Sequence, residues 1–281
     1  MAGVGLIGGS LALAGKDAGI FKTVVGLGRS RETLGKALAL KIIDEASQDH
    51  NEAVKGADLF FAAAPVESII PLCLSVAPHL PDGCIITDGG SVKGAIVREL
   101  DEKLPKHVRF VGGHPIAGTE KSGPDAAFST LYKNRYTVLT PTQNTDPEAL
   151  LKVRKMWESV GSIVVEMTPE DHDEALALIS HLPHLAAYAL VDTLDGADKE
   201  GAIRRFVAGG FRDTTRIAAS HPAMWRDIFS MNREMILEAV GKYEKSLGEL
   251  KQMIAGGDFD SLEKRLDKIA GVRKGMEGKR V

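Results

Sequence analysis

Short runs of β-branched and aromatic residues alternate with amphipathic stretches through the first 167 residues, and then the runs stop. Those at 23–28, 58–63, 84–87, 108–112, 136–139 and 162–166 read as strands. Between them, 66–77, 92–103 and 147–160 place apolar residues at helical spacing. Such alternation predicts a mostly parallel sheet covered by helices. Beyond residue 167 only helical periodicity remains. Residues 171–195 are apolar on nearly every face, through Ala175, Leu178, Ile179, Leu182, Leu185, Ala186, Ala189 and Leu190. A helix of that kind is expected to be buried all round, inside a bundle or a subunit interface. Met235, Ala239, Tyr243, Leu247, Leu250 and Ile254 recur at three- and four-residue steps, as do Leu262, Leu266 and Ile269. The pattern therefore predicts an α/β Rossmann-type domain over 1–167 and an all-α domain over 168–281 suited to dimerisation. The tail 271–281, rich in Lys, Arg and Gly, is expected to fray.

Composition narrows the partners. The net charge of −3 is spread through both signs, so no basic surface for nucleic acid is expected. No uninterrupted apolar run reaches the roughly 20 residues that span a bilayer, and no membrane partner is expected. Cys73 and Cys84 lack metal-ligand spacing, and two thiols in 281 residues suit a reducing compartment. With no cationic leader in view, a cytoplasmic location is the default.

Gly3, Gly5 and Gly8 form a G-x-G-x-x-G pattern, with Leu6 and Ile7 opening an apolar helix. Glycines so spaced allow a tight turn, approach of the backbone to a pyrophosphate, and close packing of helix on strand. Only Met1 and Ala2 precede the first glycine, so either the fold tolerates a stub of Met1 to Val4 or, the favoured reading, the buried strand of this unit is missing from the chain. Its loss would leave two neighbouring strands without a partner. The next strand ends Gly26-Leu27-Gly28-Arg29-Ser30, with no carboxylate for the adenosine ribose. Arg29 and Ser30 suit a 2′-phosphate, which favours acceptance of NADP beside NAD. Their plainer reading is a surface arginine and a helix N-cap.

Four further segments carry chemistry. In Asp88-Gly89-Gly90-Ser91-Val92-Lys93, Ser91 lies at the carboxyl edge of a strand, where open α/β sheets bind ligands, or else caps the following helix. Gly112-Gly113-His114-Pro115-Ile116-Ala117-Gly118-Thr119-Glu120 delivers His114 to the same edge, and an imidazole there suits acceptance of a hydroxyl proton. In Ser180-His181-Leu182-Pro183-His184, the proline is expected to kink the helix beside His181. The His-x-x-His step has no third ligand at suitable spacing, so a polar substrate contact is preferred to zinc. Phe211-Arg212-Asp213-Thr214-Thr215-Arg216, followed by Trp225, offers a guanidinium for a carboxylated substrate, or a surface Asp213–Arg216 pair.

Together, the order and spacing of these motifs from Gly3 to about Trp225 resemble the prephenate/arogenate (cyclohexadienyl) dehydrogenases of tyrosine biosynthesis. The resemblance implies a Rossmann domain joined to a helical dimerisation domain and a homodimer. The implied reaction is oxidative decarboxylation of prephenate or arogenate, with hydride transfer to NAD or NADP. His114 then matches the catalytic histidine, and Ser91 a serine orienting both the substrate hydroxyl and the nicotinamide. Arg216 matches the arginine that binds the ring carboxylate, and Glu120 and Asp213 match acidic residues linked to it. His181 and Trp225 match residues of the substrate site. The cofactor set so implied is Gly3, Gly5, Leu6, Ile7, Gly8, Arg29, Ser30, Pro65 and Ser91, with no metal. No chorismate mutase or regulatory segment accompanies these motifs, which implies a stand-alone enzyme. The rival readings are a β-hydroxyacid dehydrogenase, which would use an interdomain lysine rather than a Gly-His-Pro histidine, and a nucleotide-sensing scaffold, which would need neither His114 nor Arg216.

Overall fold

The computed structural model describes residues 1–119, 121–198 and 201–276. It separates into two compact units, Met1–Arg233 and Glu234–Val281.

The first unit is built on a parallel sheet. Its strands are β1 (Val25–Leu27), β2 (Glu45–Ser47), β3 (Leu59–Ala62), β4 (Ile85–Asp88) and β5 (Arg109–Val111). β1 pairs with β2, β3 with β4, and β4 with β5, all parallel. The slot between β1 and β3, expected to stand empty, is filled by the first residues of the chain. Ala2 bridges Leu27 on one side and Ala62 on the other. Its N–H donates to the Phe61 carbonyl at 2.8 Å and its carbonyl accepts from Ala63 N–H at 2.7 Å, while Leu27 N–H reaches the Met1 carbonyl at 2.8 Å. Both neighbours are short, so a stub of this length meets the ladder bonds they need. With the stub counted as the first strand, the spatial order is 3-2-1-4-5-6, the doubly wound arrangement that binds ligands where the order reverses.

β6 (Gly113–Pro115), β7 (Tyr136–Leu139) and β8 (Ile163–Glu166) continue beyond β5 as a second sheet. β6 runs antiparallel to β7, with His114 opposite Val138, and β7 runs parallel to β8. Alternation along β3 sends Phe60 into a core with Ile69, Ile86, Ile96 and Leu100, and sends Phe61 into another with Leu11, Tyr132 and Trp157.

The helices covering these strands are α1 (Leu6–Asp17), α2 (Arg31–Ala39), α3 (His50–Val54), α4 (Val66–Val76), α5 (Gly94–Lys103) and α6 (Pro147–Ser159). The starts of α2, α3 and α6 follow capping rules. Ser30 accepts from Thr33 N–H, and Asp146 from Ala149 N–H with Pro147 at the first helical position.

After β8 the described chain is helical, with α7 (Pro169–Leu176), α8 (Leu182–Ala197), α9 (Gly209–Thr215), α10 (Pro222–Met231), α11 (Arg233–Gly256) and α12 (Phe259–Gly275). α7 and α8 are joined through a π-turn, Ala177–His181. The winding thus widens beside His181, where Pro183 lacks an N–H to donate. The resulting segment Pro169–Ala197 is long and apolar enough, by length and composition alone, to cross a membrane. It is not buried all round within one chain: Ile179 is 72% exposed, Leu178, Leu190 and Val191 are also exposed, and α8 buries only Ala187. In the second unit, α12 continues through Gly271 to Gly275, where fraying was expected. Arg273 and Lys274 in its last turn complement the helix dipole. Residues 277–281 lie outside the described residues.

Candidate active site

The glycine turn is shaped by contact on one side and space on the other. Gly3 adopts φ +86°, and a Cβ there would lie 2.2 Å from the Ala63 carbonyl oxygen. A Cβ on Gly8 would lie 2.0 Å from the Gly3 oxygen, so α1 packs onto the N-terminal stub only without a side chain. Gly5 is less crowded: a Cβ there would meet only the Gly123 backbone, at 3.8 Å, an ordinary contact. It precedes a helix whose first turn receives no side-chain cap. Uncapped amides at a helix start beside a glycine without a close neighbour at its Cβ position fit the pyrophosphate of a dinucleotide. Leu6 and Ile7 form that first turn, and the Ile7 carbonyl is pinned by the buried Tyr132 hydroxyl at 2.5 Å.

Pro65 lies exposed at the start of α4, just past β3. Arg29 and Ser30 follow β1 and are both exposed. The Ser30 hydroxyl caps α2, as its plainer reading held. Gln48 clamps this loop by donating to the Arg29 carbonyl at 2.5 Å and accepting from Arg31 at 2.8 Å. The Arg29 side chain enters no ion pair among the described residues.

At the carboxyl end of β4, the Asp88 and Lys93 side chains form an ion pair that is wholly buried. Asp88 accepts from Gly90 N–H at 2.9 Å and Gly113 N–H at 3.1 Å, and Lys93 Nζ donates to the Gly113 carbonyl at 3.0 Å. The pair thereby ties the turn bearing Ser91 to the strand bearing His114. A Cβ on Gly89 would lie 3.3 Å from Ile7 Cγ2, so the same turn abuts the start of α1. The glycine cradle, Ser91 and His114 therefore share one edge. Ser91 does not cap α5. That helix begins at Gly94, and Asp173 from α7 accepts both Lys93 N–H and Gly94 N–H at 2.8 Å.

His114 is 9% exposed, and its Nδ1 lies 2.8 Å from His172 Nε2. His172 Nδ1 lies 2.8 Å from Asp173 Oδ1. The network continues through Asn232, which donates to the Asp173 carbonyl at 2.9 Å and lies 3.2 Å from His181 Nδ1. Burial first, then the nearby charges of His172, Lys93 and His181, push the His114 pKa well below its usual value. Burial likewise lowers His172, and lowers His181 to about 4. These imidazoles are neutral near pH 7.

His181 Nε2 and Trp225 Nε1 are buried without a partner among the described residues, and their rings lie 6.1 Å apart. Such orphaned atoms fit a polar ligand or water between these side chains. Trp225 also stacks on His184 at 3.7 Å, and the charge of Arg216 adds to burial in lowering the His184 pKa. Arg216 and Asp213 are exposed and make no ion pair with each other, so the paired surface reading is not realised. Glu120 lies outside the described residues. Sequence reasoning missed Asp88, Lys93, His172, Asp173 and Asn232 as members of the site. The one available signal was Asp171-His172-Asp173, an imidazole between carboxylates at a helix start. Among the described residues, no group of three or more His, Cys, Asp or Glu is placed to hold a metal.

Comparison with known proteins agrees with this architecture. The family model described as prephenate dehydrogenase, nucleotide-binding domain, matches residues 11–166. That described as prephenate dehydrogenase, dimerization domain, matches residues 168–268. The chain is 37% identical over 278 residues to a prephenate dehydrogenase of Bacillus subtilis, covering 98% of this chain and 75% of that protein. It is 38% identical over 262 residues to a cyclohexadienyl dehydrogenase of Zymomonas mobilis, covering 92% and 89%. A crystal structure of Aquifex aeolicus prephenate dehydrogenase with hydroxyphenyl propionate and NAD+ superposes with a TM-score of 0.93 at 38% identity, covering 98% and 96%. Arogenate dehydrogenase of Synechocystis superposes with a TM-score of 0.84 at 34% identity, covering 98% of each chain. A Rossmann-type domain carrying a glycine cradle and a buried histidine, followed by helices, thus places this chain in the prephenate dehydrogenase family of NAD(P)-dependent oxidoreductases.

Proposed function

We propose that this protein oxidatively decarboxylates prephenate to 4-hydroxyphenylpyruvate, arogenate to tyrosine, or both, in tyrosine biosynthesis. The observation that carries the reading is His114, a buried neutral imidazole with Nδ1 engaged and Nε2 without a partner among the described residues. When bound, the cofactor supplies a nicotinamide ring that takes up hydride from ring C4 of the substrate. His114 Nε2 accepts the hydrogen bond of the C4 hydroxyl and draws off its proton as the C4–H bond breaks. The ring carboxylate leaves as carbon dioxide, its bonding electrons complete the aromatic ring, and the phenolic oxygen takes the proton back. Ser91 orients the hydroxyl and the nicotinamide. Arg216 holds the ring carboxylate, Asp213 and Glu120 match the acidic residues linked to that arginine in the family, and His181 and Trp225 line the substrate site.

Gly3, Gly5, Leu6, Ile7, Gly8 and Pro65 cradle the dinucleotide, and Arg29 with Ser30 admits NADP as well as NAD. We place the functional boundary at 167/168, supported by the two family matches. We also propose a homodimer through the helical domain, supported by the exposed apolar row of α8. Two buried, unpaired cysteines support a cytoplasmic location.

The test is turnover of prephenate and arogenate with each cofactor, followed through the reduced nicotinamide. The wild type is expected to turn over at least one substrate, with NADP used at least as well as NAD. His114→Asn is expected to lose roughly 10²–10⁴-fold in kcat with cofactor binding intact, the usual weight of general base catalysis. Near-normal turnover in that variant would remove His114 from the mechanism.

A further inference from the structure

His114 serves as an acceptor only in one of its two neutral forms. A neutral imidazole carries its proton on Nδ1 or Nε2, and the partner of one nitrogen decides the state of the other. If Nε2 held the proton, it would present a donor to the substrate hydroxyl and could not withdraw its proton.

The side chains behind His114 settle this choice. The Asp173 carboxylate accepts from two backbone amides, Lys93 N–H and Gly94 N–H, and also faces His172 Nδ1 at 2.8 Å. An acceptor of this kind requires the proton of His172 on Nδ1, which leaves His172 Nε2 as a lone pair. His114 Nδ1, 2.8 Å away, must then be the donor, and its proton cannot sit on Nε2. Both imidazoles are buried, and bulk water offers no competing partner. The His114 and His172 rings meet edge-on, with 67° between their planes. None of this machinery belongs to the nucleotide cradle: His172 and Asp173 sit on α7, the first helix after β8.

We propose that His172 and Asp173 are positioning residues for the oxidation, a relay that fixes the proton of His114 on Nδ1 and keeps Nε2 free for the substrate hydroxyl. This inference rests on the reading of His114 as the hydrogen-bond acceptor. Asp173 also caps α5, so its replacement would mix a structural effect with a catalytic one, and His172 is the cleaner target.

The experiment combines imidazole ¹⁵N NMR with kinetics. Wild-type protein is expected to show His114, assigned by the signal lost in His114→Asn, with Nδ1 protonated and Nε2 bare. His172→Leu is expected to shift His114 towards the other tautomer and to lower kcat about 10²-fold or more, as loss of a tautomer-fixing partner does elsewhere. Substrate KM and cofactor Kd should stay within about threefold, since those contacts lie elsewhere. His172→Gln, whose amide oxygen accepts from His114 Nδ1–H, should recover part of the loss. Wild-type His114 protonated on Nε2 would overturn the relay. So would a His172→Leu enzyme that turns over normally while His114→Asn is inactive. If His114→Asn itself turns over normally, the reading of the site fails rather than the relay alone.

Discussion

Burial sets the working pH of His114. Its folded pKa lies below the ordinary 6.5 because desolvation disfavours the imidazolium, and the charges of His172, Lys93 and His181 add to that effect. The acid limb of kcat/KM, which reports free-enzyme groups, is therefore expected below pH 6.5. A pH–rate profile checks this, and a limb at or above that value would contradict it. The same sign governs stability. His181, with a folded pKa of about 4, contributes stability that is complete above 6.5 and is lost as pH falls towards 4, because the unfolded chain takes up the proton first.

The buried Asp88–Lys93 pair works differently, since its charges are matched rather than removed. Lys93→Met leaves Asp88 buried without its cation and is expected to cost about 3–5 kcal/mol, read from the urea midpoint. An unchanged midpoint would show that the Gly90 and Gly113 amides suffice for Asp88.

Among elements, α1 shows how strictly backbone approach can dictate a residue. Gly8→Ala drives a Cβ to 2.0 Å from the Gly3 oxygen, so α1 must lift from the stub. Overpacking of this kind costs about 1–3 kcal/mol. Cofactor affinity is expected to fall at least about tenfold, because the first-turn amides move with the helix. Fluorescence titration and a thermal melt measure both effects.

The elements the chain discloses most clearly are those whose residues repeat a burial pattern. The runs containing Phe60, Ile86 and Phe110 lie in or beside the predicted strands because each buries apolar residues. β2 escaped because Glu45, Ala46 and Ser47 lie at a sheet edge with little to bury. β6 escaped because Gly113, His114 and Pro115 are held by pairing with β7 rather than by strand preference. In the site, His114 stood out through the glycines and proline around it. His172 and Asp173 did not, because an acidic helix start reads as a cap and their partners lie 58 and 80 residues away in sequence.

At the scale of the whole molecule, the apolar row of Leu178, Ile179, Leu190 and Val191 has no cover within the first unit. With a dimerization-domain match over 168–268, Ile179→Glu is expected to shift a dimer towards monomer in light scattering while far-UV circular dichroism stays unchanged. A mass equal to that of the wild type would place the association surface elsewhere.

The π-turn has a consequence for how this lineage tolerates length changes. A π-turn takes up one residue more than an α-turn, so deleting one position within Ala177–His181 would tighten it to regular winding and leave the facing of the helix beyond nearly unchanged. Loss of a single codon from α8 ahead of Leu190 has no such slack, and would swing Leu190 and the residues after it by about 100° although no chemical group there had changed.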